Sequence, residues 1–371
     1  MQRIYLDSNA TSVIDPKVAE LMIKLLQNPV SYNPSSIHDD GRKARGIVEY
    51  ARQQIAKSLS IDITKDDLQV IFTASGTESN NLALSNFTNI ELFVSATEHV
   101  SVLSIRPELV TISVNNNGVI APEALEKILS NHKGKKIVSI MYANNETGVI
   151  QENMKELSRI IHQEDGIFHC DASQVFGKTK VDFNELGCDM LTISSHKCGG
   201  PVGAAALIAK KHLNLQPLIK GGKQELGLRA GTENVLAIAG FGLAAEISDK
   251  RIGKYKKIAN IKENMEKELI TSGAEIVGIN ASRLPNTSSI RMPGVKSEEQ
   301  LIKFDLEGFS LSSGSACSSG RIATSHVLKA MGMDEIQANE VIRVSLSADT
   351  EEDDIIKFIN LWKNIYTKRL K

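Results

Sequence analysis

Several common signposts are missing from this sequence. No apolar run reaches the ~18–20 residues of a membrane-spanning helix, so no membrane partner is expected. Lysine and arginine (43) balance aspartate and glutamate (44), leaving a net charge of −1. That balance gives no electrostatic reason to expect direct nucleic-acid binding. The four cysteines, Cys170, Cys188, Cys198 and Cys317, include no CxxC pair and no zinc spacing, so neither a disulfide framework nor a metal site is expected. The opening Met1-Gln2-Arg3-Ile4-Tyr5-Leu6-Asp7 lacks the apolar stretch and cleavage site of a signal peptide, and the expected location is the cytoplasm. There is no internal repeat, low-complexity segment or proline-rich linker. What remains is an ordinary soluble composition, 42% hydrophobic and 23% charged, in 371 residues, enough for two domains.

Strand and helix patterns alternate along the first two thirds of the chain, which predicts a mostly parallel sheet flanked by helices. The expected strands are 68–72, 92–94, 109–112, 137–142, 167–170, 190–193 and 204–208, with helices such as 41–59 and 122–130 between them. Helical sequence resumes after Thr232 and runs to about Ile270, with a break expected near Gly253. Shorter units follow: a strand at 288–291, a helix at 297–306, a strand at 309–311, a helix at 324–331 and a strand at 341–346. These predict a smaller α+β domain. The basic stretch Lys250–Lys257 is followed by Glu263, Glu266 and Glu268, so it reads as a solvated helix face.

The chemistry is suggested by two strand ends. Asp171-Ala172-Ser173-Gln174 follows one strand and Ser194-Ser195-His196-Lys197 follows another. In an open α/β sheet, ligands bind beyond the carboxyl ends of strands. A lysine and an acid placed there suit pyridoxal phosphate. The lysine forms the Schiff base, and the carboxylate keeps the pyridine nitrogen protonated. At ~4 Å and an effective dielectric of ~20, such a charge pair is worth roughly 4 kcal/mol. Ala74-Ser75-Gly76-Thr77 follows a strand and opens a helix, whose free N–H groups bind phosphate. Ser194 and His196 can add donors there. Gln174 and Asn145 are candidates for the ring hydroxyl. His99, also after a strand, can stack on the ring and exchange protons near neutral pH.

Cys170 alternates with Asp171 and therefore faces the core, and Cys188 reads the same way. Cys198 adjoins Lys197, but neighbouring side chains diverge, so it reads as a bystander. Cys317 is different. It sits in Ser312-Ser313-Gly314-Ser315-Ala316-Cys317-Ser318-Ser319-Gly320, a run too small and polar to pack a core. A cysteine in such a loop, beside a pyridoxal site, suggests a nucleophile delivered to the substrate.

Taken together, the motifs resemble the cysteine desulfurases of the NifS/IscS type, within the fold-type I superfamily of pyridoxal-phosphate enzymes. The resemblance runs nearly end to end. It takes in Tyr5-Leu6-Asp7-Ser8-Asn9-Ala10-Thr11, Asn33-Pro34-Ser35-Ser36, Glu98-His99, Asn144-Asn145-Glu146, His196-Lys197, Arg229-Ala230-Gly231-Thr232-Glu233-Asn234 and Ile342-Arg343-Val344-Ser345. The chain departs from the family at Ser75, Lys223, Leu226 and Ser12, none of them a catalytic group.

The resemblance implies a large domain over 13–250 with a seven-stranded, mostly parallel sheet. It implies a small domain from 1–12 and 251–371, carrying the cysteine loop at about 311–322. Lys197 would hold the cofactor and His99 would stack on it. Asp171 would pair with the ring nitrogen, and Asn145 and Gln174 would meet the ring's polar edge. Gly76, Thr77, Ser194 and His196 would bind phosphate, with Thr232 reaching the phosphate of the other subunit of a homodimer. Arg343 would clamp the carboxylate of L-cysteine, with Asn33 and Asn145 beside it, and Cys317 would take the sulfur. A sulfur-acceptor protein, an iron–sulfur scaffold or a tRNA-thiolation protein, would receive it. A selenocysteine lyase or an aminotransferase of the same fold, and an idle scaffold, are the alternative readings.

Overall fold

The computed structural model describes residues 3–27, 32–314 and 324–369. Strand β1 (Ile4–Tyr5) comes first and joins the C-terminal part of the chain. The next seven strands, β2 (Leu68–Thr73), β3 (Glu91–Ser95), β4 (Val110–Ile112), β5 (Lys136–Ser139), β6 (Gly166–Asp171), β7 (Met190–Ser194) and β8 (Ala205–Lys210), form one sheet. Its order is β2-β8-β7-β6-β5-β3-β4, with β8 running against both neighbours and the rest parallel. The seven expected strands are all present, their ends shifted by a few residues.

This topology sets the site. Strand β8 reverses direction between β2 and β7, so the carboxyl ends of β2, β3, β5, β6 and β7 share one edge of the sheet. Helices cover both faces, which is why the strands are apolar in near-continuous runs. Phe72, Phe93, Val138, Phe168 and Leu191 pack on one face, and Ile71, Val94, Ile137, Met190 and Leu207 on the other. Cys170 and Cys188 lie in the first of these cores, as their alternation predicts.

The helices Asp39–Ser58 and Pro122–Ser130 lie where the pattern placed them. Asp39–Ser58 packs closely on the helix Val235–Glu246. A Cβ at Gly242 would sit 2.6 Å from Ala51 Cα, so glycine permits the contact. The break expected near Gly253 is absent. The helix Ser248–Thr271 passes through Gly253 without interruption, and the discontinuity falls at Ile247 instead. Gly253 points to open space, while Tyr255, Ile258, Met265 and Leu269 anchor the helix in the core. That burial outweighs the ~1 kcal/mol a helical glycine costs.

The remaining strands are β9 (Glu275–Ile276), β10 (Thr287–Arg291), β11 (Phe309–Ser310), β12 (Ser312–Ser313) and β13 (Val341–Ser345). An antiparallel sheet has the order β12-β13-β10-β9, and β11 pairs with β1 in parallel. The single strand expected at 309–311 is thus two short strands that join different sheets. A core of Tyr255, Phe304, Phe309, Phe358 and Trp362 holds this part together, with Phe304 stacked on Phe358 at 4.9 Å. Leu6 is buried in the same core. Among the described residues, no helix is long and apolar enough to cross a membrane, and no side-chain cluster could hold a metal.

Candidate active site

Asp171 is the last residue of β6, and Ser194 is the last residue of the adjacent β7. The strands are in register with Asp171 opposite Thr192, and a single 3-10 turn, Ser195–Lys197, then brings the lysine back over the sheet edge. A cavity of about 240 Å³ opens there. It is lined by Gly76, Thr77, His99, Asn145, Asp171, Gln174, Ser194, His196 and Lys197, all of them expected from the sequence. Ser75, Asn80, Ser101, Met141, Ala143 and Ser173 complete the lining.

Electrostatics suit a carbonyl-trapping amine beside a permanent carboxylate. Burial is the main influence pushing the Lys197 amine down to about 8, and Arg343 adds to it, while Asp171 and Asp7 oppose it. Burial alone would raise the Asp171 carboxyl. The Ser173 N–H donates to Oδ1 at 2.9 Å and Asn80 Nδ2 donates to Oδ2 at 2.9 Å, and these bonds hold it below the ordinary carboxylate range. His196 is pushed down to about 4, chiefly by burial, and its Nδ1 lies 2.8 Å from Thr11 Oγ1. His99 is also lowered, again mainly by burial, with Lys197 and His326 adding to it and Asp171 opposing.

One end of the cavity suits phosphate. The helix Gly76–Leu84 starts here, and its first N–H groups have no intrahelical acceptor. Ser75 Oγ caps Glu78 N–H at 3.2 Å and leaves Gly76 and Thr77 facing the cavity. Ser194 Oγ is buried and has no partner among the described residues. A Cβ at Gly76 would sit 3.3 Å from Ser173 Oγ and narrow this end. An orphaned hydroxyl, free helix N–H groups, a buried carboxylate and a depressed lysine are the donor set that pyridoxal phosphate requires. The residues present fit the group.

Other expected residues lie differently. Arg343, on β13, is buried outside the cavity lining. Its Nη2 donates to Asp7 Oδ1 at 2.7 Å and its Nη1 to Asn145 O at 3.1 Å, while its buried Nε has no partner among the described residues. Thr232 is exposed and lines a separate hollow with Thr73, Ala74, Glu225 and Arg229. Asn33 is exposed and its Oδ1 accepts from Ser35 N–H at 3.0 Å, away from the cavity. Cys317 lies outside the described residues. Cys198 is buried beneath Lys197, its Sγ 3.2 Å from Ser195 O, as a bystander would be.

Sequence reasoning missed a second layer. Lys178 is fully buried and donates to Asn9 Oδ1 at 2.9 Å and Gln174 Oε1 at 2.8 Å, which fixes the Gln174 amide with Nε2 toward Asn9 O. Asn9 Nδ2 donates in turn to Asn145 O and Thr287 Oγ1. Asn80 and Ser101 were missed as well. One turn into its helix, Asn80 reads as an ordinary polar residue, and nothing in the sequence points to its partner Asp171, 91 positions away.

Lysine and acid on neighbouring strand ends of this sheet define a pyridoxal-phosphate enzyme of the fold-type I class. The chain belongs to the family described as aminotransferase class-V, which it matches over residues 4–358. It is 38% identical to the cysteine desulfurase IscS of Dictyoglomus turgidum, covering 99% of this chain and 95% of that one. It is 35% identical to a cysteine desulfurase of Enterobacter agglomerans, covering 96% and 90%. The solved structure of a NifS-like protein from Rickettsia africae is 42% identical, with a TM-score of 0.93 over 99% of this chain and all of that one.

Proposed function

We propose that this chain is a cysteine desulfurase, converting L-cysteine to L-alanine and carrying the sulfur away on Cys317. The observation that carries the reading is the pairing of Lys197 and Asp171 at neighbouring strand ends, facing one phosphate-competent cavity. When bound, the cofactor acts as an electron sink that acidifies the substrate Cα–H.

The chain's own groups do the rest. Asp171, kept ionised by Ser173 and Asn80, pairs with the ring nitrogen. Gln174 and Asn145 meet the ring's polar edge, and Gly76, Thr77, Ser194 and His196 take the phosphate. Lys197, released by the substrate amine, takes the Cα proton, and its depressed basicity leaves a useful neutral fraction near pH 7. The Arg343 guanidinium meets the substrate carboxylate, a pairing that suits its unpartnered Nε. The Cys317 thiolate attacks the substrate sulfur. An S–S bond forms as the Cβ–S bond breaks, the electron pair stays with carbon, and two protons, one at Cβ and one returned to Cα, complete alanine. The persulfide left on Cys317 passes to an acceptor protein serving iron–sulfur cluster assembly or tRNA thiolation.

Two further parts belong to this proposal. The large domain over 13–250 holds the cofactor, and the small domain from 1–12 and 251–371 contributes Arg343 and Cys317. The enzyme works as a homodimer in the cytoplasm.

The test is purified protein with L-cysteine and a reductant, measuring alanine and sulfide together. Cys317→Ser should still change the visible absorbance on adding L-cysteine, yet release at least ~100-fold less alanine, because a hydroxyl is a poor nucleophile toward sulfur. Mass spectrometry of wild type should find the extra sulfur on the Cys317 peptide. A keto acid as product would make the chain an aminotransferase. Full turnover by Cys317→Ser would remove the sulfur-transfer step from the reading.

A further inference from the structure

A hydrogen-bond chain ties Asp171, the last residue of β6, to His99, which lies beyond the end of β3. Asn80 Nδ2 lies 2.9 Å from Asp171 Oδ2 and 2.9 Å from Ser101 Oγ. Ser101 Oγ lies 2.8 Å from His99 Nδ1, and the Ser101 backbone N–H donates to the same nitrogen at 3.1 Å. Asn80 and Ser101 are both buried.

The direction of every bond in this chain is fixed. Asp171 is ionised and can only accept, so the amide of Asn80 must present its nitrogen to it; turned over, two oxygens would face each other. Asn80 Oδ1 is left buried without a partner among the described residues, so another bond does not decide the orientation. The second N–H of Asn80 then points at Ser101 Oγ, which must accept it. Ser101 Oγ keeps a second lone pair, so the deciding group is the Ser101 backbone N–H, which can only donate. His99 Nδ1 must accept it, and the Ser101 O–H then donates to the same nitrogen. A nitrogen receiving two donors holds no proton. The neutral ring carries its proton on Nε2, and protonating Nδ1 breaks both bonds.

We propose that Asn80 and Ser101 are positioning residues that lock His99 in the neutral Nε2–H form. His99 then stacks and donates one hydrogen bond but takes up no proton, which leaves proton transfer at Cα to Lys197. The titratable groups facing His99 are Asp171 from β6, Lys197 from the turn after β7 and His326 from the helix His326–Ala330. Asp171 favours protonation, while Lys197, His326 and burial oppose it, and the two donors on Nδ1 add to the opposition. The role of this locked form in turnover rests on the pyridoxal-phosphate reading. The locked form itself does not.

The test uses cofactor-free, full-length protein with nitrogen-15-labelled histidine, followed by NMR from pH 5 to 8.5. Wild type should show His99 as the Nε2–H tautomer, titrating below the 6.5 of an ordinary imidazole. Ser101→Ala should raise the proton affinity of His99 about three- to tenfold, the effect of one lost hydrogen bond. Ser101→Thr, which keeps the hydroxyl, should restore it. An Nδ1–H tautomer in wild type, or titration at or above 6.5, overturns the proposal even if no variant folds. So does a Ser101→Ala titration identical to wild type. A failed alanine assay with the expected NMR result would sink the desulfurase reading and leave the lock standing.

Discussion

Lys197 can be tested without any turnover. An ordinary lysine, near 10.5, is about 0.3% neutral at pH 8, whereas one lowered to about 8 is half neutral. Only the neutral amine attacks an aldehyde. The capture of pyridoxal phosphate by cofactor-free protein should therefore accelerate with pH and level off with a midpoint near 8, followed by visible absorbance. The sign follows from burial, which disfavours the charged amine and so lowers the pH at which it becomes reactive. Lys197→Ala should capture no borohydride-reducible cofactor. A midpoint near 10 would show that the amine is solvated, against the geometry. Lys197, Asp171 and Cys170 were legible in the sequence because strand alternation and strand ends are local signals. Asn80, Ser101 and Lys178 were not, since each is defined by partners on other elements. His99 was half legible: its place after β3 could be read, but its depressed basicity depends on the burial and charges that the fold assembles around it.

Among the elements, β2 carries the clearest energetic demand, because it is an edge strand of the large sheet. Its outward groups are covered by one ion pair. Arg52, on the helix Asp39–Ser58, bonds Val70 O and holds Glu225 with Nη1 to Oε2 at 2.9 Å and Nη2 to Oε1 at 3.0 Å. Glu225 Oε2 also accepts the Phe72 N–H at 2.7 Å. The arginine lies over the Phe72 ring, 4.9 Å from its centroid. This arrangement blocks pairing with another strand and holds Glu225 and Leu226 at φ of +47° and +61°, where non-glycine residues are strained. Arg52→Met keeps most of the packing but leaves a buried carboxylate unpaired. It should cost about 3–5 kcal/mol, read from the urea midpoint. Adding Glu225→Gln should recover part of the loss, and a single variant within ~1 kcal/mol of wild type would mean the pair is idle. The Gly253 break failed at this same scale. A glycine signals a break only where nothing else holds the helix, and here a buried stripe from Tyr255 to Leu269 holds it.

For the whole molecule, the sequence predicted the alternation of strands and helices but not which strand reverses. β8 runs against its neighbours because its pairing with β2 and β7 is long-range, and a short apolar run carries no direction. The same limit applies to what crosses between chains. Thr232 faces a hollow beside Ala74 and Arg229, outside the cavity that holds Lys197. If Thr232 serves the site of a partner subunit, each chain is incomplete alone, and two defects on different chains must complement each other. Thr232→Glu places a negative charge against the partner's phosphate, and Lys197→Ala removes the cofactor's anchor, so each homodimer should be inactive. In a mixed dimer, the chain with intact Lys197 faces the chain with intact Thr232, and one of the two sites is whole. Random reassociation of equal amounts makes half the dimers mixed, so activity should return to about a quarter of wild type. Light scattering should meanwhile give twice the 40.5 kDa chain mass. Mixtures that remain inactive although the chains exchange, or an active monomer, would show that Thr232 serves only its own chain.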